Sequence, residues 1–499
     1  MFPLSGKKPC GPANKNKLLL PALITSLAIF PIAGHTSALS KTYDAFTSKS
    51  KISVSLVNYF KTTEKYFKDK DKGIAETDRQ YEWAQSAGLF YSTGKIRVPK
   101  TPVRAGLNLG YGYVFELDTS YPGNEHYWNG GEKILQSENC YWTGKKEPKT
   151  GSYKCKDSSG YGKLPVANIQ FSWKKGGMWV GDGFYTAGLI STADENDALL
   201  SSYRGVMVRQ KYQDYTFRGA FVTGFMGGNE SEMGDLEGKT NYYDIEPSIT
   251  YDYLYTADVK RKIGDDAGFQ VAYGEAKDYL RRYMTNAWVR VPLAAQTNIH
   301  LHGQYYYNHS AGELWDIDRE QEKVNFDQYA SNIGYMVTFE HDAMKLIYGY
   351  MKTNAPLESD TKLGSFSYGF GNAKGYFKAP VGGGYGSFRR DGQEAMSVAA
   401  VYDFRNFDLP GLDIRYIYNW SDSPAKSKLT GEINNGKEYE HVIKVNYEPK
   451  SGMFEGWYVN YKQAFYRPDA TVASLSEEDP QNKADKTTIK LILGYNFSI

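Results

Sequence analysis

Beyond residue 40 the chain alternates between apolar and polar positions. In its last segment Ile489, Leu491, Leu493, Tyr495, Phe497 and Ile499 take every second position. Thr488, Lys490, Gly494, Asn496 and Ser498 lie between them, and Ile492 is the interruption. A period of two sets one apolar and one polar face on an extended strand. The same pattern runs through Val103, Ala105, Leu107, Leu109, Tyr111, Tyr113 and Phe115, and returns in 165–173, 215–225, 243–253, 299–307, 412–420 and 457–465. Counting every segment of this kind predicts eighteen strands, the first beginning near Lys51, the eighth near Tyr242 and the last near Lys486. Connectors after even-numbered strands are mostly short, as at Gln213-Asp214 and His341-Asp342. Several after odd-numbered strands are long, notably 118–161 and 353–393. Tilted spans of about ten residues, with short turns at one end and long loops at the other, describe a transmembrane antiparallel up-and-down β-barrel.

Aromatic residues sharpen that reading. Tyr111, Tyr113, Phe115, Tyr305, Tyr307, Tyr416, Tyr418, Trp420, Phe465 and Tyr495 fall on the apolar faces, where lipid-interface girdles require them. A soluble sandwich would turn those faces inward against a second sheet. The chain is 15% aromatic, with 43 Tyr and 50 Gly against 19 Pro, which excludes disorder, collagen and coiled coil. After the first forty residues no window reaches the ~18 to 20 apolar residues of a spanning helix.

The first forty residues have a different character. Lys7, Lys8, Lys15 and Lys17 precede an apolar stretch, 18–33, and small residues follow through Ala38-Leu39-Ser40. This is the layout of a signal peptide, 1–40, ahead of a single barrel domain, 41–499. Removing the leader changes the net charge from +2 to −2, with 55 basic and 57 acidic residues remaining, so no nucleic-acid partner is implied. It also removes Cys10 and leaves Cys140 and Cys155 in a polar stretch. One disulfide between them is expected of an exported protein, two free thiols being the alternative.

Particular segments resemble the OprD-type outer-membrane porin family, including its chitoporin branch. They are 48–60, Tyr81-Glu82-Trp83-Ala84-Gln85, Tyr91-Ser92-Thr93-Gly94, and Ala399-Ala400-Val401-Tyr402-Asp403-Phe404 followed by Leu409-Pro410-Gly411-Leu412. The resemblance implies an eighteen-stranded barrel in the bacterial outer membrane, a third loop folded inward, and a lumen with a ladder of basic residues. It departs from the family where Val57, Gly88 and Gly181-Asp182-Gly183 stand at positions often held by arginine. Arg415 survives on the strand after the Leu409-Pro410-Gly411 turn, with Arg389 and Arg390 nearby in the long seventh loop.

By alternation alone the lumen face carries Arg104, Arg209, Arg218, Arg282, Arg290, His300, His302, Asp413, Arg415, Lys444 and Lys462, against Asp244, Glu246 and Asp252. Opposed charges across a narrow aqueous passage orient dipolar solutes, and a row of one sign biases the passing ion. The third loop, 184–200, brings Asp194, Glu195 and Asp197 as candidate constriction groups. Tyr59, Trp288, Tyr306, Tyr458 and Tyr466 face inward as candidate platforms for sugar rings.

Other apparent motifs fail. His300 and His302 share a strand face without the further carboxylate or thiolate ligands of a zinc site, so neither a metal nor another cofactor is implied. Asn308-His309-Ser310 alternates in and out and cannot converge as a hydrolytic triad. Gly382-Gly383-Gly384-Tyr385-Gly386 lacks the strand-to-helix setting of a nucleotide loop. The reading is therefore a porin rather than an enzyme, passing small hydrophilic nutrients (amino acids, carboxylates or short oligosaccharides) through a water-filled lumen. An outer-membrane or secreted hydrolase and an adhesive barrel are the competitors. Outer-membrane lipid and solutes are the expected partners, and the barrel could be a monomer or a homotrimer.

Overall fold

The computed structural model describes residues 49–69, 74–119, 134–142, 153–192, 197–238, 249–321, 323–359, 363–376, 379–426, 431–469, 472 and 485–498. The expected signal segment lies outside them.

Eighteen antiparallel strands close into a barrel. They are β1 (Lys51–Asp69), β2 (Ile74–Ser92), β3 (Arg104–Thr119), β4 (Tyr161–Trp173), β5 (Gly176–Gly183), β6 (Ser202–Tyr212), β7 (Tyr215–Met226), β8 (Leu254–Ile263) and β9 (Ala267–Ala276). The second half continues with β10 (Leu280–Ala294), β11 (Thr297–Ser310), β12 (Tyr329–His341), β13 (Met344–Asn354), β14 (Glu394–Asp403), β15 (Leu412–Lys426), β16 (Ile433–Tyr447), β17 (Trp457–Pro468) and β18 (Asp485–Ser498). Each pairs with its sequence neighbours, and β18 returns to β1 from Ser53↔Ser498 to Tyr66↔Asp485, so the main sheet has no free edge. Closure is what hydrocarbon demands, since an unpaired backbone group there costs several kcal/mol.

The alternation maps onto the two faces as the sequence predicts. Leu107, Leu109, Tyr111, Tyr113 and Phe115 of β3 and Leu491 and Leu493 of β18 are exposed outward, while Val114, Lys486 and Lys490 are buried inward. Near the long-loop end the outer aromatics run from strand to strand. Ring centroids lie 6.0 Å apart for Tyr255 and Tyr273, 5.0 Å for Tyr273 and Tyr283, 6.2 Å for Tyr283 and Tyr307 and 6.3 Å for Tyr307 and Tyr329. At the other end Trp457, Tyr495 and Phe497 form a second group. These are the two girdles of a membrane barrel.

One strand differs from expectation. The eighth begins at Leu254, not near Tyr242, and pairs with β7 from Tyr215↔Arg261 to Val222↔Leu254. The alternation of 243–253 misled because it runs into the true strand. Within it, Thr250–Tyr251 belongs to a separate two-stranded sheet with Leu236–Glu237. Among the described residues, no helix is long and apolar enough to cross a membrane. A short helix, α1 (Glu313–Glu320), sits in the loop after β11.

Candidate pore and constriction

The third loop, residues 184–201, turns into the barrel. At its root Gly181 and Gly205 are paired across β5 and β6 with φ of 123° and 151°, and a side chain would strike the backbone of β4 at Gly181 and of β7 at Gly205. The Tyr185 hydroxyl lies over them, donating toward the Gly181 carbonyl (2.6 Å) and the Gly205 carbonyl (3.1 Å). Further along, the Gly188 amide donates to Asp258 Oδ1 (2.7 Å) and the Leu189 amide to Thr256 Oγ1 (2.9 Å), both on the inner wall of β8. Asp258 is itself held by Arg218, Nε to Oδ1 and Nη2 to Oδ2 at 2.9 Å each, and by Gln270 at 3.0 Å. The other end of the loop meets β2, where Ser86 Oγ donates to the Ala198 carbonyl (3.1 Å). A loop bonded to both β8 and β2 crosses the lumen.

The seventh loop, residues 355–393, fills much of what remains. Arg282 of β10 is only 1% exposed. Its guanidinium donates to the carbonyls of Ser367 (2.7 Å), Tyr368 and Gly369 (2.9 Å) and to Asn308 Oδ1 (2.7 Å), and stands 4.5 Å from the Phe370 ring centre. Tyr368 donates to Asn332 Oδ1 (2.9 Å), and burial pushes its hydroxyl pKa up to about 12. Around them Tyr203, Phe225, Tyr251, Tyr306, Phe366 and Phe370 pack with the third loop's Leu189 and Ile190 into one apolar cluster. At the height of Arg282 the inner wall of β7–β13 is thus covered by an apolar core assembled from loops.

Water is left the opposite side. A cavity of about 470 Å³ lies against β15–β18, β1 and β2, roofed by Phe184 and residues 197–200 of the third loop. Four of its lining residues, Arg415, Lys444, Lys462 and Lys490, belong to one continuous register of cations that Lys61 extends. Arg415 lies directly opposite Lys444, Lys444 opposite Lys462, Lys462 opposite Lys490, and Lys490 opposite Lys61 across the closure seam. Directly paired residues share a face, so five neighbouring strands present one positive row. With strands ~4.8 Å apart and tilted ~40° in such barrels, a row perpendicular to the strands drops about 12 Å over four steps. A same-register row thereby becomes an inclined track. On one flank it is bounded by Ile417, Val442 and Ala464, and on the other by Asn446 and Asn460, with Asn446 Nδ2 donating to Asp413 Oδ1 (3.0 Å).

The residues singled out in the sequence separate into groups. Arg415, Lys444 and Lys462 come together on the track, and Asp197 faces them from the loop. Arg218 is engaged with Asp258, and exposed Arg209 is paired opposite Arg218. Arg104 is exposed at the short-turn end of β3. Arg290 reaches Asp266 (3.6 Å), and His300 Nε2 lies 2.8 Å from Glu340 Oε2. His302 is opposite Trp288 on the same wall. Arg282 does not line open lumen, because the seventh loop covers it. Tyr59, Tyr306 and Tyr466 are likewise buried and offer no ring face to a solute. Asp252 is no lumen residue either; it sits in a loop, 2.6 Å from Lys277. Asp194, Glu195, Asp244 and Glu246 lie outside the described residues. Lys61, Lys490, Asp258 and Lys374 were not among the candidates. For Asp258 the missing signal was the position of β8, and for Lys61 and Lys490 it was cross-strand register.

A closed barrel with a lipid-facing apolar band and a loop-narrowed aqueous passage defines an outer-membrane channel. The chain belongs to the OprD family of outer membrane porins, whose family model matches residues 44–499. It is 22% identical over 320 residues to the chitoporin of Escherichia coli K12, a match spanning 62% of this chain and 61% of that protein. Among solved structures it is similar to OccK9 (OpdG) of Pseudomonas aeruginosa, with a TM-score of 0.69 and 14% identity over 91% of this chain and all of the other. OccAB3 of Acinetobacter baumannii gives 0.67 and 16% over the same shares. OpdK of P. aeruginosa, solved with vanillate, gives 0.63 and 15%, again over 91% of this chain and all of the other. These likenesses establish the fold.

Proposed function

We propose that the channel favours small anionic solutes, carboxylates foremost, and that they move along the track of Arg415, Lys444, Lys462, Lys490 and Lys61. The observation that carries this reading is the unbroken register of five cations, of which Arg415, Lys444, Lys462 and Lys490 line the cavity beside the third loop and Lys61 continues the row across the seam. Like charges placed directly opposite one another are destabilising, so such a row is placed at some cost to the sheet. A row of one sign lowers the barrier for the opposite ion, while several adjacent sites let it be passed on rather than trapped. Short oligosaccharides are a weaker fit. Of the five inward aromatics read from the sequence only Tyr458 borders the cavity, where Phe90, Phe184 and Tyr461 join it, so the cationic row rather than the aromatic lining is what favours an anion over a neutral sugar.

The test is swelling of proteoliposomes. Monocarboxylates should enter faster than neutral oligosaccharides of equal or smaller size. Equal rates, or faster sugar entry, would contradict the reading.

Two further elements belong to this account. Residues 1–40 act as a cleaved export signal ahead of the barrel, and Cys140 and Cys155 form a disulfide in the second long loop. Their backbones are directly opposite in a two-stranded sheet, a separation of about 4.5 to 5.5 Å that falls within disulfide range. Intact mass of the exported protein before and after reduction and alkylation checks both.

A further inference from the structure

Asp197 faces the cationic track across the cavity from the third loop. A bare carboxylate there would oppose the positive field along which an anion must travel. Its charge is met from elsewhere: Lys374 Nζ of the seventh loop forms an ion pair with Asp197 Oδ2, with both side chains largely withdrawn from solvent. Lys374 itself does not border the cavity. A second buried cation, Lys163 of β4, also interacts electrostatically with Asp197, but its ammonium is engaged by the carbonyls of Gly227 and Gly228 at 2.8 Å each.

We propose that Lys374 determines the charge selectivity of the pore without lining it, by neutralising Asp197 at the face opposite the track. The proposal rests on the anion-selective reading given above. It adds that selectivity depends on an ion pair between two inward loops as well as on the wall. The main chain at residue 374 is fixed independently of its side chain. The Lys374 carbonyl accepts from the Ser191 amide (3.2 Å) and from the Tyr203 hydroxyl (2.7 Å). Removing the ammonium therefore leaves the loop in place and takes one positive charge away from the carboxylate that faces the solute.

The experiment is a two-by-two set of variants in planar bilayers under a salt gradient, read as the anion-to-cation permeability ratio. At a separation set by a cavity of this size, one unscreened charge in water changes an ion's weight by about two-fold. Lys374→Met should lower the ratio by about that factor, and Lys374→Arg should leave it unchanged. Asp197→Asn alone should raise the ratio, because one negative charge is then removed from the face opposite the track while the Lys374 ammonium stays. In the Lys374→Met/Asp197→Asn double variant the ratio should return to the wild-type value. An unchanged ratio in Lys374→Met, or a decrease that Asp197→Asn does not reverse, overturns the proposal. If Lys374→Met fails to assemble, the Asp197→Asn ratio decides alone, with no rise counting against it. A wild-type channel that prefers cations would instead sink the anion reading, whatever the variants do.

Discussion

Lys61 of β1 lies directly opposite Lys490 of β18 across the seam that closes the barrel. Two ammonium-bearing side chains meet where the first and last strands must pair, at a cost of roughly 0.2 to 1 kcal/mol for directly opposed like charges. On its other side Lys61 is opposite Glu82 of β2, whose carboxylate accepts from the amides of Ile134 (2.7 Å) and Leu135 (3.1 Å). Lys490 in turn stands 5.6 Å from the centre of the Tyr59 ring. A function-first placement of charge should be visible as a trade between stability and selectivity.

Lys490→Gln accordingly should raise the temperature at which the barrel unfolds in SDS while lowering anion preference. Heat-modified electrophoretic mobility and reversal potential measure the two. A variant that loses both stability and selectivity would show that Lys490 holds the seam together.

The inside-outside assignment can be tested on β18. Leu493 is 40% exposed on the lipid face, whereas Asn496 borders the cavity. Leu493→Lys should cost about 2 to 4 kcal/mol near the bilayer midplane and impair assembly. Asn496→Lys, three positions along the same strand, should assemble normally and increase anion preference. The reverse pair of outcomes would invert the two faces.

Arg282 anchors the seventh loop through hydrogen bonds to three main-chain carbonyls and Asn308. Arg282→Met should keep the barrel, which its strand register closes, but release the loop from the wall. Losing charge-assisted bonds of this kind costs roughly 1.5 to 3 kcal/mol each, enough to loosen the apolar core. Single-channel conductance should rise as the lumen widens. Unaltered conductance in a correctly folded variant would show that the apolar cluster alone keeps the loop in place.

Glu440 of β16 secures the glycine-rich part of the same loop. Its carboxylate accepts from the Tyr385 and Gly386 amides, the latter at 2.8 Å, and from Asn419 Nδ2 at 3.0 Å. This holds Gly383, whose φ of 102° excludes most side chains, beside Lys444. Glu440→Ala should make conductance noisy, with frequent partial closures, and Glu440→Gln, which keeps an acceptor, should do so less. Identical quiet traces for both would place the segment away from the conducting path.

Much of this molecule was legible in its sequence because a membrane barrel repeats one local rule. Alternation fixes which face of each strand meets lipid, so β3 and β18 could be read residue by residue. The long seventh loop was visible as an interval without a strand, although its path inside the barrel was not. The eighth strand was displaced because 243–253 alternates and runs into Leu254–Ile263, and only pairing with β7 distinguishes them. The cationic track was half visible. Arg415, Lys444 and Lys462 follow from face alone, but their alignment with Lys490 and Lys61 depends on register, which comes from long-range pairing. Arg282 was misplaced for a related reason: alternation shows that a side chain points inward, not whether a loop from elsewhere covers it.

Anion selectivity of the passage should depend on the register-aligned cations Arg415, Lys444, Lys462, Lys490 and Lys61. The reversal potential across a bilayer separating two chloride concentrations tests it most directly, with the wild-type channel compared with the Lys444→Gln/Lys462→Gln variant. The wild type should prefer chloride over potassium, and the variant, with two adjacent steps of the track removed, should lose most of that preference while still resisting SDS unheated. A wild-type preference for potassium, or a chloride preference unaltered by losing both lysines, would contradict the account.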